Sequence, residues 1–217
     1  MAYSQHAKLI QDGVETWNAW RAANPGAMPD LSGIDLSGWD LSRAFLKQVN
    51  FANANLIKAD LSGVNLEHAN FFGAKLLNTN LREANLKGAE LSRADFKGAN
   101  LEGACLQEAT MGNVSLREML LRGINMRGAN LFGSDLTQAD LSCSDLTGAV
   151  LADTILELVN FYGASLRNAN LTGAVVRFAN FKNADLTGAV LAKVNLKEAQ
   201  LTLGQRMGLM LRGKAGA

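Results

Sequence analysis

A five-residue repeat runs through most of this chain and restricts its fold more than any other feature. From Leu31 to Leu201 every fifth residue is large and apolar, which gives 35 consecutive positions without a change of register. All of them are Leu except five Phe, two Met and one Val. A period of five matches neither the 3.6-residue turn of an α-helix nor the two-residue alternation of a β-strand. The period predicts a chain that turns a corner every five residues.

The other positions of the pentapeptide explain how such corners form. The residue two before the large one is Ala in 21 of 34 cases, and the residue directly before it is Asn or Asp in 21 of 34. Gly recurs two residues after the large one, as at Gly63 and Gly73. Large and small apolar side chains therefore point inward, Asn and Asp bond their own backbone at the corner, and Gly relieves crowding in the turn.

The consensus Ala-(Asn/Asp)-Leu-x-Gly resembles the pentapeptide-repeat family over residues 30–202. The resemblance implies an all-β solenoid, a right-handed quadrilateral β-helix with four pentapeptides per coil. At this length it would have about 8–9 coils, and residue n would stack on residue n+20. Two pairs of Phe have that spacing: Phe51 with Phe71, and Phe161 with Phe181.

Both ends of a solenoid need covers, because an open coil exposes apolar side chains and unpaired backbone. Residues 1–29 lack the period, and we interpret them as an amphipathic helical cap with a linker that begins near Pro25. Its apolar residues recur at helical spacing: Leu9, Ile10, Val14, Trp17 and Trp20. The alternative is a free recognition helix that uses the two Trp. Residues 203–217 predict a short, glycine-weakened helix or a tail, which either caps the last coil or pairs with another copy.

The sequence contains no group of residues with the types and spacing of a catalytic or metal-binding site. His6 and His68 are the two histidines, and Cys105 and Cys143 are too far apart in the expected fold for a disulfide. The many Asp residues before the buried Leu are interpreted as turn formers, and a filled solenoid leaves no interior pocket. We therefore predict no enzyme activity, no catalytic residue, no cofactor and no metal site.

Charge and composition restrict the partner and the compartment. The chain has 21 basic and 20 acidic residues, so we expect no direct nucleic-acid binding. No apolar run reaches the length of a membrane span, and two Cys are typical of a reducing compartment. These features predict a cytoplasmic protein that does not associate with membranes, and the resemblance to the pentapeptide-repeat family implies a bacterial one.

The outer surface leaves two functional hypotheses. Four outward apolar residues of the late coils form a candidate interface: Ile155, Leu158, Val175 and Phe178. They favour a protein-interaction scaffold of unknown partner, with a homodimer through the C-terminal region as one form. The resemblance also implies an alternative, a DNA-mimic regulator or protector of DNA gyrase. Residues 31–201 hold 17 acidic and 16 basic residues, which is a poor imitation of phosphates.

Overall fold

The computed structural model describes residues 5–214 and contains three helices, α1 (Gln5–Gln11), α2 (Val14–Ala23) and α3 (Leu203–Lys214). Between α2 and α3 the chain winds in coils of twenty residues. Parallel β-bridges join residues twenty positions apart, from Asp30–Asn50 to Asn180–Gln200, in four columns around the coil. The predicted four-sided solenoid with n stacked on n+20 therefore describes this region.

Each pentapeptide satisfies its five main-chain amides in one recurring way. In residues 51–55 the first and third amides donate to the next coil, and the fifth donates to the previous coil. The fourth amide donates to the carbonyl of the first residue at 2.9 Å, which closes a tight turn. The second amide donates to the side chain of Asn50 at 3.1 Å. No amide of this pentapeptide is left unpaired, although the chain contains no regular strand there.

The side-chain bond explains the abundance of Asn and Asp. All 21 of these residues at the position before the large apolar one accept a hydrogen bond from the amide two residues later. This confirms the predicted local bonding at the corner. The turn also needs a left-handed residue at its third position, which is Gly or one of 18 non-glycine residues with φ between 54° and 61°.

Stacking by twenty is visible in the core. The rings of Phe51 and Phe71 lie 5.2 Å apart at 16°, and those of Phe161 and Phe181 lie 5.1 Å apart at 14°. The large residues from Leu31 to Phe181 are all buried, and the small residues between them fill the space that remains.

The N-terminal region differs from the expected single helix. It forms two short helices, because Gly13 adopts a φ of 112° that ends α1 and lets the chain turn before α2. Ile10 and Trp17 are fully buried, and Leu9 and Val14 are half-buried against the core. Trp20 is only half-buried, and its ring contacts the rings of Trp17 and His6.

Polar side chains of α2 complete the edge of the first coil. Asn18 donates to the carbonyl of Arg43 at 2.7 Å and accepts from the amide of Phe45 at 2.8 Å. Arg21 donates to the carbonyls of Ala27 and Lys47. The helix thus supplies partners to a stretch of backbone that has no coil below it.

The C-terminal end is covered less completely. Helix α3 begins with a capping box, in which the Thr202 amide donates to Gln205 Oε1 and the Gln205 amide donates to Thr202 Oγ1. Gln205 also donates to two carbonyls of the preceding coil. Five core residues of the last coil nevertheless remain half-exposed: Ala189, Leu191, Val194, Leu196 and Leu201. None of the helices in residues 5–214 is long and apolar enough to cross a membrane.

Candidate functional site

Reactive side chains stay apart on this scaffold. No group of three His, Cys, Asp or Glu among the described residues is placed to hold a metal ion. His68 has a half-exposed side chain whose Nε2 lies 3.7 Å from Glu67, and Cys105 and Cys143 are free thiols.

The four candidate interface residues lie together on two adjacent coils, and we call them the late-coil patch: Ile155, Leu158, Val175 and Phe178. Each is 40–51% exposed. Ile155 and Val175 are joined by a parallel bridge on one flat side of the solenoid. Leu158 and Phe178 follow at the adjoining turn, where the Leu158 amide donates to the carbonyl of Arg177. The patch is thus a two-by-two arrangement of apolar side chains across a corner.

The backbone under the patch is strained. Leu158 and Phe178 have φ values of 59° and 57°, in the left-handed region that bulky side chains avoid. They are the two large apolar side chains among the 18 non-glycine residues at this turn position. Left-handed non-glycine residues cost roughly 1–3 kcal/mol each and accumulate at functional sites. Gly or Asn would fill these two positions at lower cost if packing alone decided.

A charged side chain borders the patch. The Arg177 guanidinium carbon lies 5.4 Å from the centre of the Phe178 ring. Arg177 also forms ion pairs with Glu157 at 3.6 Å and Glu198 at 3.0 Å. An apolar centre with a polar border is typical of protein–protein interfaces.

Elsewhere on the surface, charges of opposite sign pair between coils. Arg117 contacts Asp135 at 2.9 Å, and Arg167 contacts Asp185 at 2.8 Å. Lys47 contacts Glu67 at 2.7 Å. Hydrogen bonds from the Thr187 hydroxyl and amide, together with the Arg167 guanidinium, lower the pKa of Asp185 to about 2. Because these pairs mix the two signs, they break up any continuous negative stripe.

A second feature, which sequence reasoning missed, is a break in the ladder between residues 93–105 and 112–125. Eight amides that should donate across these coils make no short, well-aligned hydrogen bond among the described residues: those of Arg93, Phe96, Gly98, Leu101, Gly103, Ser115, Leu120 and Asn125. Bridges remain at 95–115 and 105–125 but not between Asn100 and Leu120, so the opening is widest there. Both coils stay paired with their other neighbours. We call this opening the mid-solenoid cleft.

Oversized core residues account for the cleft. Val114, Met119 and Ile124 occupy three successive small positions of one coil, where the coil below has Ala94, Ala99 and Ala104. Extra methylene groups in a packed core force the backbone apart. From Leu41 to Leu186, Ala99 and Met119 are the two core positions that are not fully buried. An opening of about 1290 Å³ lies on the outer surface over this break, while the large core residues beneath it, Phe96, Leu101 and Leu121, are at most 1% exposed. The sequence signal for this break is that three consecutive pentapeptides lack Ala at the small inward position.

Comparison with known proteins gives one decisive match and several distant ones. A profile of pentapeptide repeats matches in eight copies, over residues 30–67, 65–103, 74–113, 104–148, 144–177 and 169–203. No curated protein matches the chain.

Three solved structures illustrate the distant matches. HetL from the cyanobacterium Nostoc, a pentapeptide repeat protein involved in heterocyst differentiation regulation, is 29% identical, with 83% of this chain and 94% of that chain covered and a TM-score of 0.28. A trypsin-treated form of QnrB1, a plasmid-mediated fluoroquinolone resistance protein, is 22% identical over 85% and 84%, with a TM-score of 0.42. A pentapeptide repeat protein of the Arabidopsis thaliana thylakoid lumen is 34% identical over 54% and 70%, with a TM-score of 0.24.

Proposed function

The chain belongs to the pentapeptide-repeat family, and we propose that it is a non-catalytic interaction scaffold whose C-terminal half joins two copies of itself. Members of this family fold as right-handed quadrilateral β-helices and are generally structural or interaction proteins rather than enzymes. The proposal extends this general role to one surface of this chain. We place the scaffold in the bacterial cytoplasm, in keeping with its two free thiols.

The observation that carries the proposal is the late-coil patch. Ile155, Leu158, Val175 and Phe178 are large, adjacent and each about half-exposed. Burying side chains of this size contributes roughly 1.5–3 kcal/mol each before the costs of association. The strain at Leu158 and Phe178 supports selection of these side chains for contact rather than for folding.

The incomplete C-terminal cover supports a second copy as the partner. Leu203 and Met207 on α3 are 75% and 58% exposed, and the last coil beside them is open. The patch lies one coil before this end. A two-fold contact needs a single self-complementary surface, so one dimer could cover the patch and the open end together.

Sedimentation velocity over a range of concentrations tests the proposal. We expect a dimer for the native chain and a monomer for the double variant Leu158→Lys with Phe178→Lys. Phe132→Lys is the matched control, because Phe132 is 47% exposed on a different side, and it should leave the dimer intact. Circular dichroism checks that all variants keep the same fold. A native chain that stays monomeric at high concentration would exclude the homodimer and leave the patch to a different protein.

The alternative function, a DNA mimic that acts on gyrase, receives less support from the surface. A mimic needs a continuous row of negative charge in place of phosphates. The ion pairs of Arg117 with Asp135, Arg127 with Asp145 and Arg167 with Asp185 place a cation beside each of those carboxylates. We therefore put the scaffold first.

A further inference from the structure

The two ends of the solenoid are covered to different extents. At the N-terminal end the large core residues from Leu31 to Leu46 are at most 1% exposed. At the C-terminal end Gln205 holds α3 over Phe181 and Ala184, at the start of the last coil, and the core residues that follow stay half-exposed. We call this open edge the end face, and it is formed by Ala189, Leu191, Val194, Leu196 and Leu201.

Cations border the end face. Four exposed basic residues lie in the last coil or on α3, and none of them forms an ion pair with a described residue: Lys182, Lys193, Lys197 and Arg206. Both carboxylates of residues 178–208 are already paired with arginines of the coil before. Asp185 pairs with Arg167 at 2.8 Å. Glu198 pairs with Arg177 at 3.0 Å. The end face therefore combines an apolar centre with a positive border.

Neither this chain's own tail nor a second copy complements that border. Residues 203–217 contain three basic residues and no acidic one. Two end faces in contact would bring like charges together, which opposes association. The border therefore favours a partner with negative charge, and the late-coil patch on the side of the solenoid stays available for the second copy.

The N-terminal end shows what kind of structure covers an end of this solenoid. There α2 buries Trp17, and its Asn18 and Arg21 donate to main-chain carbonyls of the first coil. At the end face, Leu191 and Leu196 occupy inward, recessed positions. The apolar ridge of an amphipathic helix can reach such positions, whereas a flat lipid surface cannot.

We propose that the end face binds an acidic amphipathic helix of a partner protein. The apolar stripe of that helix covers Leu191, Val194 and Leu196, and acidic residues beside the stripe pair with Lys193 and Lys197. Burial of the stripe provides the affinity, and the charges select the partner and speed its association. The proposal goes beyond the dimer and does not rest on it, because the end face and the late-coil patch share no residue.

Selection from a peptide library tests the charge of this partner. The library displays helices of about 18 residues, which is long enough to form in isolation. Their stripe positions carry aliphatic or aromatic residues, and their flanking positions carry Glu, Gln or Lys at random. Selection on the native protein should enrich Glu over Lys at the flanks about tenfold or more. Enrichment of Lys or Gln, or of no helix at all, would overturn the proposal.

Matched protein variants then locate the binding site. A synthesised peptide from the selection should bind Lys193→Glu with Lys197→Glu about tenfold or more weakly than it binds the native protein. The control is Arg93→Glu with Lys97→Glu, which makes the same change of charge at the same repeat positions, one hundred residues earlier. The control should bind the peptide as the native protein does. Equal losses in both variants would indicate nonspecific charge attraction and contradict the proposal.

Two further measurements distinguish other occupants. Leu158→Asn with Phe178→Asn removes the late-coil patch and should bind the peptide as tightly as the native protein does. Loss of binding in this variant would assign the peptide to the patch and refute the end-face site without bearing on the dimer. The native protein should cosediment no more with phosphatidylglycerol vesicles than with phosphatidylcholine vesicles. Strong binding to the anionic vesicles that Lys193→Glu with Lys197→Glu removes would make the end face a lipid-binding surface instead.

Discussion

The indole of Trp17 is fully buried and donates a hydrogen bond from Nε1 to the main-chain carbonyl of Phe45 at 3.1 Å. This contact joins α2 to the point where the first coil lacks the regular ladder, since Phe45 makes no bridge among the described residues. One side chain thus covers apolar surface and also satisfies an edge carbonyl.

We expect Trp17→Ala to lower the free energy of unfolding by about 3–5 kcal/mol, because it removes a large buried side chain. Trp17→Phe keeps most of the packing and loses the hydrogen bond, so its cost should be about 1 kcal/mol. Trp20→Ala is the control and should cost less than Trp17→Ala, since Trp20 is half-buried. Urea denaturation measures all three. Equal losses for the two alanine variants would show that both tryptophans act together as one cap.

A ladder of side-chain hydrogen bonds in the late coils should also contribute to the free energy of unfolding. Asn160 accepts from the Tyr162 amide and from Asn180 Nδ2, and it donates to Asp140 Oδ1 at 2.9 Å. Asn160→Ala removes all three hydrogen bonds and should cost about 1–3 kcal/mol.

Val150 provides the control for this ladder, because it occupies the same repeat position without a side-chain hydrogen bond. Val150→Ala should therefore cost less than Asn160→Ala in the same urea titration. A larger loss for Val150→Ala would mean that apolar cover, not the side-chain bonds, stabilises this position.

Acid should weaken the solenoid at Asp185. Its folded pKa of about 2 lies below the ordinary value of 3.8, so the carboxylate contributes its full stability above about pH 4. That contribution is lost as the pH falls from about 4 toward 2, because the unfolded chain binds the proton first. Asp185→Asn should show a smaller drop in urea midpoint over this range than the native chain. Arg167→Gln, which keeps the Thr187 bonds, should give an intermediate drop. Identical pH profiles for the native chain and Asp185→Asn would contradict this assignment.

The inward position of every fifth residue could be predicted from the sequence because one rule repeats, whereas the coil of twenty residues followed from the resemblance to the pentapeptide-repeat family. Phe51 and Phe71 stack because both occupy the inward position of the repeat, which all 35 large residues share. The hydrogen bonds that the Asn and Asp side chains accept could also be predicted from the sequence, because each donor amide lies only two residues later in the chain.

The cleft and the shape of the N-terminal cap could not be predicted, because both depend on residues that depart from the pentapeptide consensus or lie outside it. The cleft coincides with three successive oversized residues, Val114, Met119 and Ile124, whereas single valines at the same repeat position, Val64 and Val159, remain buried in closed coils. The division of the cap into two helices depends on the φ of Gly13, which helical spacing does not reveal.

The purified protein should not inhibit DNA supercoiling by gyrase at stoichiometric concentration. Residues 31–201 have a net charge of −1, from 17 acidic and 16 basic residues, whereas duplex DNA carries one negative charge about every 1.7 Å. Cross-coil ion pairs such as Arg127 with Asp145 further reduce the exposed negative field.

A charge-altered variant makes this last test sharper. Arg117→Gln, Arg127→Gln and Arg167→Gln together leave Asp135, Asp145 and Asp185 without their cations and change the net charge by −3. If charge limits the interaction, the triple variant should inhibit supercoiling more than the native chain does, and added salt should remove the difference. Strong inhibition by the native chain, unaffected by salt, would show that the shape of the solenoid alone suffices to engage gyrase.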